Sequence, residues 1–445
     1  MLNSAQQAAL DAVLQGRSIF LTGSGGTGKS YLISRVYKEI DTTATRCVSL
    51  TALTGCASLL LHPRARTLHS WAGIGLGDAP AHVLVETVRV NRRAAARWRA
   101  TDVLVIDEVS MLTPDLFEKL DVVGRAIRRN ERPFGGLQLV LVGDFYQLPP
   151  VSSGESKFVF ESPLWKALGL EVHELTEIVR QKDPVFQKIL GEARRGRLTP
   201  ESIQILQTRI GLDYSELQIQ PSMVFTRRAQ VQDINRKHFD ALTTPKHTYI
   251  AATLSTMKSV GDPAIPKAVE KLDKVAQYVS ELTLAVGAQV MLLINDPENK
   301  LTNGSRGVVV GFERQADTDA QPDKNSLDTV IPLVKFCGGQ VLPIQRHKWA
   351  TELPGISRTQ LPLTLAYAVT IHKTQGSTLD CALIDVGERT FEYGQAYVAL
   401  SRVKSLEALY IHDFHPGAFK AHPKVKAFYA TTPSPPSPTS PSAGE

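Results

Sequence analysis

Short apolar runs alternate with stretches of helical period through the first third of the chain. Ser18 to Thr22, Thr45 to Thr51, Asp102 to Asp107 and Leu137 to Gly143 are each of strand length. They predict strands of a parallel sheet, with the helical segments between them covering both faces. Between Cys56 and Pro80 the alternation gives way to a Gly-rich segment, Trp71 to Gly77, which predicts a small insertion. From about Glu174 a second helical and β region begins. Around Pro245 to Ala350 the texture changes to short β-type runs (Gln289 to Ile294, Gly307 to Phe312, Val330 to Phe336) punctuated by turns. That pattern predicts a small all-β module inserted into a second α/β domain, which resumes at Leu361. The last stretch, Thr431 to Glu445, is rich in Pro and Ser and poor in apolar residues, and is expected to be a disordered tail.

A chain of 445 residues has room for two to four domains. Apolar residues at 43% and charged residues at 21% are ordinary globular usage, which excludes collagen-like and wholly disordered classes. The four cysteines, Cys47, Cys56, Cys337 and Cys381, form no C-x-x-C pair and no cluster with His. Their spacing argues against a disulfide framework or zinc site and fits a reducing compartment. No apolar run approaches the roughly 18 residues a membrane span needs, and the first residues lack the features of a signal or transit peptide. The expectation is a soluble, intracellular protein with no membrane partner. It would sit in the nucleus or mitochondrion of a eukaryote, or the cytoplasm or nucleoid of a bacterium. The net charge of +6 permits an anionic partner without requiring one.

The sharpest chemistry follows the first apolar run. Gly23-Ser24-Gly25-Gly26-Thr27-Gly28-Lys29-Ser30 fits G-x-x-x-x-G-K-[ST] and lies between a strand pattern and a helix pattern, the context a phosphate-binding loop requires. Its glycines let the backbone wrap so that N–H groups face phosphate oxygens. Lys29 would neutralise the β and γ phosphates of ATP, and Ser30 would ligate Mg2+. The run Val103 to Ile106 ends in Asp107 and Glu108, as a Walker B strand does, with Asp107 on the metal and Glu108 polarising water. Adjacent carboxylates at a strand end are commonly only solvated, so this reading draws its force from the loop before it. The next strand ends in Gly143-Asp144-Phe145-Tyr146-Gln147-Leu148-Pro149-Pro150, where Gln147 could sense the γ-phosphate or merely stand in a polar turn.

Taken with Thr67 to Gly75, the segment 107–111 and the segment 143–150, these motifs resemble the PIF (petite integration frequency) family of superfamily-one DNA helicases. The likeness continues through Leu175 to Gln181, Val286 to Met291, Asn303 to Gly307, Thr370 to Gly376 and Gln395 to Arg402, and covers about residues 2 to 429. It implies two RecA-like P-loop NTPase domains with parallel sheets, a wedge-like insertion in the first and an SH3-like β module in the second. The boundaries expected are 1–170 for the first domain, with its insertion at 62–88, and 171–244 plus 355–429 for the second. The β module is expected at 245–354 and the tail at 430–445.

The resemblance further implies that Gln6 reads the adenine edge, and that Gly23, Gly25, Gly26, Thr27, Gly28, Lys29, Ser30 and Gly376 surround the nucleotide. It implies Arg180 and Arg402 as γ-phosphate arginines brought from the second domain across a cleft. Lys29, Asp107, Glu108, Gln147, Arg180 and Arg402 would form the catalytic set, with Ser30 and Asp107 on the metal. Thr54, Thr67, His69, His372, Thr374 and Gln375 match segments that contact the DNA strand, where hydroxyl, imidazole and amide donors suit phosphate contacts. Phe145 and Trp71 could offer stacking faces to bases or serve as packing. The partners implied are single-stranded DNA and duplex or forked DNA, handled by a monomer or weak dimer moving 5′ to 3′. Guanine quadruplexes and RNA–DNA hybrids fall within the substrates the resemblance admits, and replication, repair, recombination or telomere maintenance are the settings it implies.

The Arg-rich run Arg89, Arg92, Arg93, Arg97 and Arg99 spreads over more than one helix face, which is the pattern of solvated charge rather than of a DNA-reading surface. Family members often carry long extensions, whereas this sequence starts almost on the adenine-reading motif, the organisation of a near-minimal motor. Two rivals differ in class. A small-molecule phosphotransferase would not need the strand-contacting motifs, and a non-hydrolysing switch would lack one of Lys29, Asp107, Glu108, Gln147 or Arg402. A nucleic-acid-stimulated translocase without processive unwinding is the nearer alternative.

Overall fold

The first sheet is built from β1 (Ile19–Gly23), β2 (Val48–Ala52), β3 (Arg66–Thr67), β4 (Val103–Asp107), β5 (Gln138–Val142) and β6 (Glu171–Leu175), of which β1, β2, β4 and β5 fall on the four apolar runs. In this computed structural model, residues 2–431 are described, apart from 44–45, 63, 151–156, 218, 226–227, 256–263, 277, 315–329, 352–354, 375–377, 389 and 391. The six strands form one sheet of order β3-β2-β4-β5-β1-β6, parallel at every pairing. Alternate residues along each strand feed two cores, because successive side chains point to opposite faces. Phe20, Leu104, Ile106, Leu139 and Leu141 face the cluster holding Trp71, Trp98, Phe117 and Phe145. Ile19, Leu21, Val103, Val105, Val140 and Val142 face Leu10, Val13, Leu32, Ile33 and Val36, from the helices Ser4–Leu14 and Lys29–Thr43.

The chain divides into two compact units. The first comprises Met1–Thr199, Phe391–Ser401 and Phe419–Glu445, the second Pro200–Thr390 and Arg402–Ala418. Glu171–Leu175, expected to open the second domain, is instead an edge strand of the first sheet, paired in register with β1 from Ile19↔Glu171 to Gly23↔Leu175. Two late helices, Gln395–Leu400 and Pro423–Thr431, also belong to the first unit rather than to the second domain where the sequence put them. Val425 of the last helix is fully buried in the aromatic-rich core, with Phe428 packed against it. The tail expected at 430–445 lies outside the described residues from 432 onward. The expected insertion at 62–88 holds β3 and the helix Leu68–Ala72, and it runs into the helix Ala81–Val90. Its Trp71, Ile74, Leu84, Val85 and Val88 all join the first core.

The second unit has its own parallel sheet. Strands β7 (Ser222–Phe225), β8 (Lys246–Ile250), β9 (Ala252–Ser255), β10 (Glu281–Ala285), β11 (Gln289–Leu292), β12 (Arg306–Arg314), β13 (Val330–Phe336) and β14 (Val341–Pro343) precede β15 (His347–Ala350), β16 (Ile356–Gln360), β17 (Leu363–Leu365), β18 (Ala368–Thr370), β19 (Ala382–Val386) and β20 (Leu409–Phe414). Four of them form a parallel sheet of order β18-β7-β19-β20. Between β7 and β18 lie antiparallel sheets, the largest being the five-stranded β14-β13-β12-β11-β17. Val290, Leu292, Val309, Val334 and Phe336 of that sheet share a core with Leu282 and Leu284 of β10 and with Leu363 of β17. The acidic stretch from Arg314 to Asp328 lies outside the described residues from 315 onward.

Candidate active site

At the carboxyl ends of β1, β4 and β5 the first unit gathers most of the sequence-singled residues, the edge where parallel α/β sheets bind ligands. After β1 the chain turns through Gly23 to Gly28 and enters the helix at Lys29. Gly26 adopts φ +87°, and a Cβ there would stand 2.7 Å from Cβ of Arg180. Gly28 adopts φ +86°, and a Cβ there would stand 2.7 Å from Nε2 of Gln6. Glycine is therefore needed at both positions on conformation, and at Gly26 on space as well. The loop is held from outside as well. Backbone N–H groups of Val179 and Arg180 donate to the Gly26 carbonyl at 2.9 and 3.2 Å. Gln6 Nε2 donates to the Thr27 carbonyl at 3.3 Å, while its Oε1 accepts from Asn3 N at 3.1 Å in a capping box opening the first helix.

Lys29 Nζ donates to the carbonyls of Gly23 and Ser24 at 2.7 and 2.9 Å. Burial depresses its pKa, against the opposing pull of the Asp144, Glu108 and Asp107 carboxylates. Asp107 closes β4 and is pushed up to about 7, first by burial and next by the neighbouring Glu108 charge. Its Oδ1 accepts from the Glu108 amide at 2.9 Å. Glu108 itself sits at φ 58°, ψ 40°, a left-handed conformation uncommon for a residue with a side chain and concentrated at functional sites.

Beyond β5, Asp144 is wholly buried at 0% exposure. Arg194 clamps it with Nε to Oδ2 at 3.0 Å and Nη2 to Oδ1 at 3.1 Å. The same guanidinium reaches Glu174 at 3.3 Å and lies 4.9 Å from the ring centroid of Tyr146. Burial alone would lower the Arg194 pKa, but Asp144 holds it well above its ordinary value. Tyr429 donates or accepts with Thr22 Oγ1 at 2.7 Å and accepts from Phe145 N at 3.2 Å. Gln147 is buried, its backbone N–H donating to the Asp144 carbonyl at 2.9 Å. Sequence reasoning missed Arg194 and Tyr429 entirely, because nothing local marks a partner 50 or more residues away.

Several expectations change. Arg180 does not come from the second domain: it belongs to the first unit and lies against the loop, its Nη1 donating to the Ser401 carbonyl at 2.9 Å. The cause is the position of β6, which carries residue 180 into the first unit. Arg402 does fall in the second unit, 2% exposed, with Nη1 donating to the Thr374 carbonyl at 3.3 Å. Phe145 offers no open stacking face: it is 1% exposed, with Phe160 and Phe428 at edge-to-face centroid distances of 4.9 and 5.3 Å. Trp71 is 2% exposed against Trp98, 4.5 Å between centroids, and takes the packing role.

Among the residues expected on the DNA strand, Thr54 and Thr67 cap helices, accepting from Ala57 N and Ser70 N at 3.2 Å each. Their S/T-before-helix pattern was the signal available in the sequence. His69 is half-buried in the helix that Thr67 caps. Thr374 is buried, its hydroxyl donating to the Ile371 carbonyl at 2.8 Å. Gln375, Gly376 and the side chain of His372 lie outside the described residues. In the Arg run, Arg97 spends its guanidinium on the carbonyls of Trp71 and Ser70, at 2.8 and 2.9 Å.

The chain is similar to known proteins over nearly all of its length. Residues 1–195 match the family model described as PIF1-like helicase. The chain is 40% identical over 438 residues to the human ATP-dependent DNA helicase PIF1, covering 97% of this chain and 64% of the relative, so it spans a little under two thirds of that protein. The crystal structure of Pif1 helicase from Candida albicans is similar with a TM-score of 0.77 and 36% identity, over 97% of this chain and 99% of that one. Pif1 helicase from Bacteroides in complex with ADP-AlF3 and single-stranded DNA is similar with a TM-score of 0.62 and 25% identity, over 97% of each chain. With a loop shaped for phosphate, two carboxylates closing the adjacent strand and relatives matched over nearly their whole solved length, the chain belongs to the PIF1-like helicase family.

Proposed function

We propose that this protein is an ATP-dependent DNA helicase that hydrolyses ATP, travels 5′ to 3′ on single-stranded DNA and unwinds duplex or forked DNA. The observation that carries the reading is the meeting of the loop lysine with the Asp107, Glu108 and Asp144 charges at one sheet edge. ATP suits the loop, whose backbone amides and Lys29 answer the charge of a triphosphate. Mg2+ fits the donors present: the Ser30 hydroxyl and the Asp107 carboxylate are hard oxygen ligands, and two protein donors are what this ion takes beside phosphate and water. Ser30 and Asp107 would hold the ion, and the chemistry it would supply is positive charge to offset that of the phosphates.

The chain's own residues account for the rest of the chemistry. Lys29 leaves the loop carbonyls for the phosphates. Glu108, held beside the metal-binding carboxylate by its left-handed backbone, orients and polarises the attacking water. Gln147, beyond β5, senses the γ-phosphate. Arg180, beside the loop, and Arg402 stabilise the transferred charge. Gln6 reads the base. His69, His372 and Gln375 contribute to holding the strand; the similar Bacteroides helicase is a complex with single-stranded DNA. Steady-state ATPase measured with and without single-stranded DNA, beside strand separation of a forked duplex, tests the reading. Strong stimulation with unwinding is the expected result, lost in Lys29→Ala. Hydrolysis indifferent to DNA would refute it, and stimulation without unwinding would favour a translocase.

A further inference from the structure

The hydroxyl of Tyr397 accepts from the Gly25 amide at 2.7 Å, and is 3.3 Å from Asp144 Oδ2, to which it donates. Tyr397 is itself buried, on the short helix Gln395–Leu400, which returns to the first unit 372 residues after the loop. Gly25 and Gly26 are adjacent, and a Gly-Gly pair has the least backbone preference of any dipeptide, so the orientation of its peptide planes must be imposed from outside. Val179 and Arg180 fix the Gly26 carbonyl. Tyr397 fixes the Gly25 N–H. Its hydroxyl is held in turn, because Asp144 is buried and clamped by Arg194, leaving the phenol proton one charged acceptor.

We propose that Tyr397 is a positioning residue for nucleotide binding, setting the entry arm of the phosphate loop through a hydrogen bond to Gly25 and tying that arm to the end of β5. This rests on the ATPase reading above. Removing the hydroxyl leaves the Gly25 amide without this acceptor and lets the Gly-Gly pair sample other orientations, so nucleotide must select the competent loop from a wider ensemble. One lost hydrogen bond corresponds to roughly a five-fold weakening. Because the loop cradles phosphates common to both nucleotides, ATP and ADP should weaken alike. The loss should therefore appear in KM, with kcat nearly unchanged.

A purely structural role would give a different pattern, and Tyr429 supplies the contrast. Its hydroxyl lies 3.5 Å from the other oxygen of the same Asp144 but makes its remaining bonds to Thr22 and Phe145. The test is titration of a fluorescent ADP analogue, with ATPase KM and kcat, on the full chain as wild type, Tyr397→Phe and Tyr429→Phe, each checked by thermal melting. The expected result is weaker binding and raised KM in Tyr397→Phe, with Tyr429→Phe near wild type. Unchanged binding in Tyr397→Phe, or equal loss in both variants, overturns the proposal. Absence of nucleotide binding in the wild type would instead overturn the ATPase reading. Should Tyr397→Phe melt below the assay temperature, hydrogen exchange of the wild-type Gly25 amide decides: slow exchange upholds the bond, and exchange at the rate of an open loop refutes it.

Discussion

Arg194→Met isolates the largest electrostatic commitment in the first unit. The guanidinium is 13% exposed in its side chain and faces an Asp144 carboxylate with no exposure at all. Methionine keeps much of the stem volume and removes the charge-assisted bonds of the guanidinium, leaving the buried carboxylate to the neutral donors of the Tyr397 and Tyr429 hydroxyls and the Tyr146 backbone amide. Breaking one side of such a pair typically costs about 3–5 kcal/mol, because the remaining charge stays desolvated. At roughly 2–4 °C per kcal/mol for a unit of this size, Tm should fall by about 10 °C. Asp144→Asn combined with Arg194→Met should recover most of the loss, since two neutral groups leave no orphan charge. Differential scanning calorimetry reads the shift. Tryptophan fluorescence assigns it, because Trp71, Trp98 and Trp165 lie in the first unit and Trp349 in the second. A single-variant cost below about 1 kcal/mol, or a double variant no better than the single, would refute the reasoning.

Three further outcomes follow from the site and the core. Glu108→Gln should bind ATP normally while turnover falls by about 10² or more, as loss of a positioned base does; near-normal turnover in a steady-state assay would remove Glu108 from that role. Asp107 has a folded pKa raised to about 7, so the folded state binds its proton more tightly than the unfolded chain. Its destabilisation grows as pH rises towards about 7 and is constant above. Asp107→Asn should therefore raise Tm more at pH 8 than at pH 5.5, and an equal gain at both would contradict the shift. Trp71→Ala, which removes a fully packed indole from against Trp98, should cost about 3–5 kcal/mol in a urea melt; an unaltered midpoint together with weakened DNA binding would show the ring at work on bases instead.

The sequence reveals strands that are covered on both faces and conceals those that are not. Ile19–Gly23 and Val103–Asp107 are buried at every position, so their apolar runs stand out from the chain around them. Glu171–Leu175 reads Glu-Val-His-Glu-Leu and is fully buried only at Leu175, the habit of an edge strand, so no apolar run ties it to the first sheet and the expected boundary falls just before it. Phosphate-loop residues were legible because their spacing is itself the geometry. Phe145 and Trp71 were not, because an aromatic after a strand reads the same whether it stacks on a base or on Phe160. Arg194 and Tyr397 depend on pairings 50 and 372 residues apart, which composition and periodicity do not encode.

The last described helix makes the first unit late to finish. Thr22 and Tyr429 share a hydrogen bond across 407 residues, and Val425 completes a core whose other members begin at Phe20. At roughly 5–20 residues per second of synthesis, the sheet would wait from roughly ten seconds to nearly a minute for its final cover. Throughout that interval the face carrying Phe160 and Trp165 lacks its Phe428 partner. The first half of the chain therefore emerges as a nearly complete sheet with an apolar flank open, so nascent chains of this protein should be clients of holdase chaperones until the helix Pro423–Thr431 closes over it.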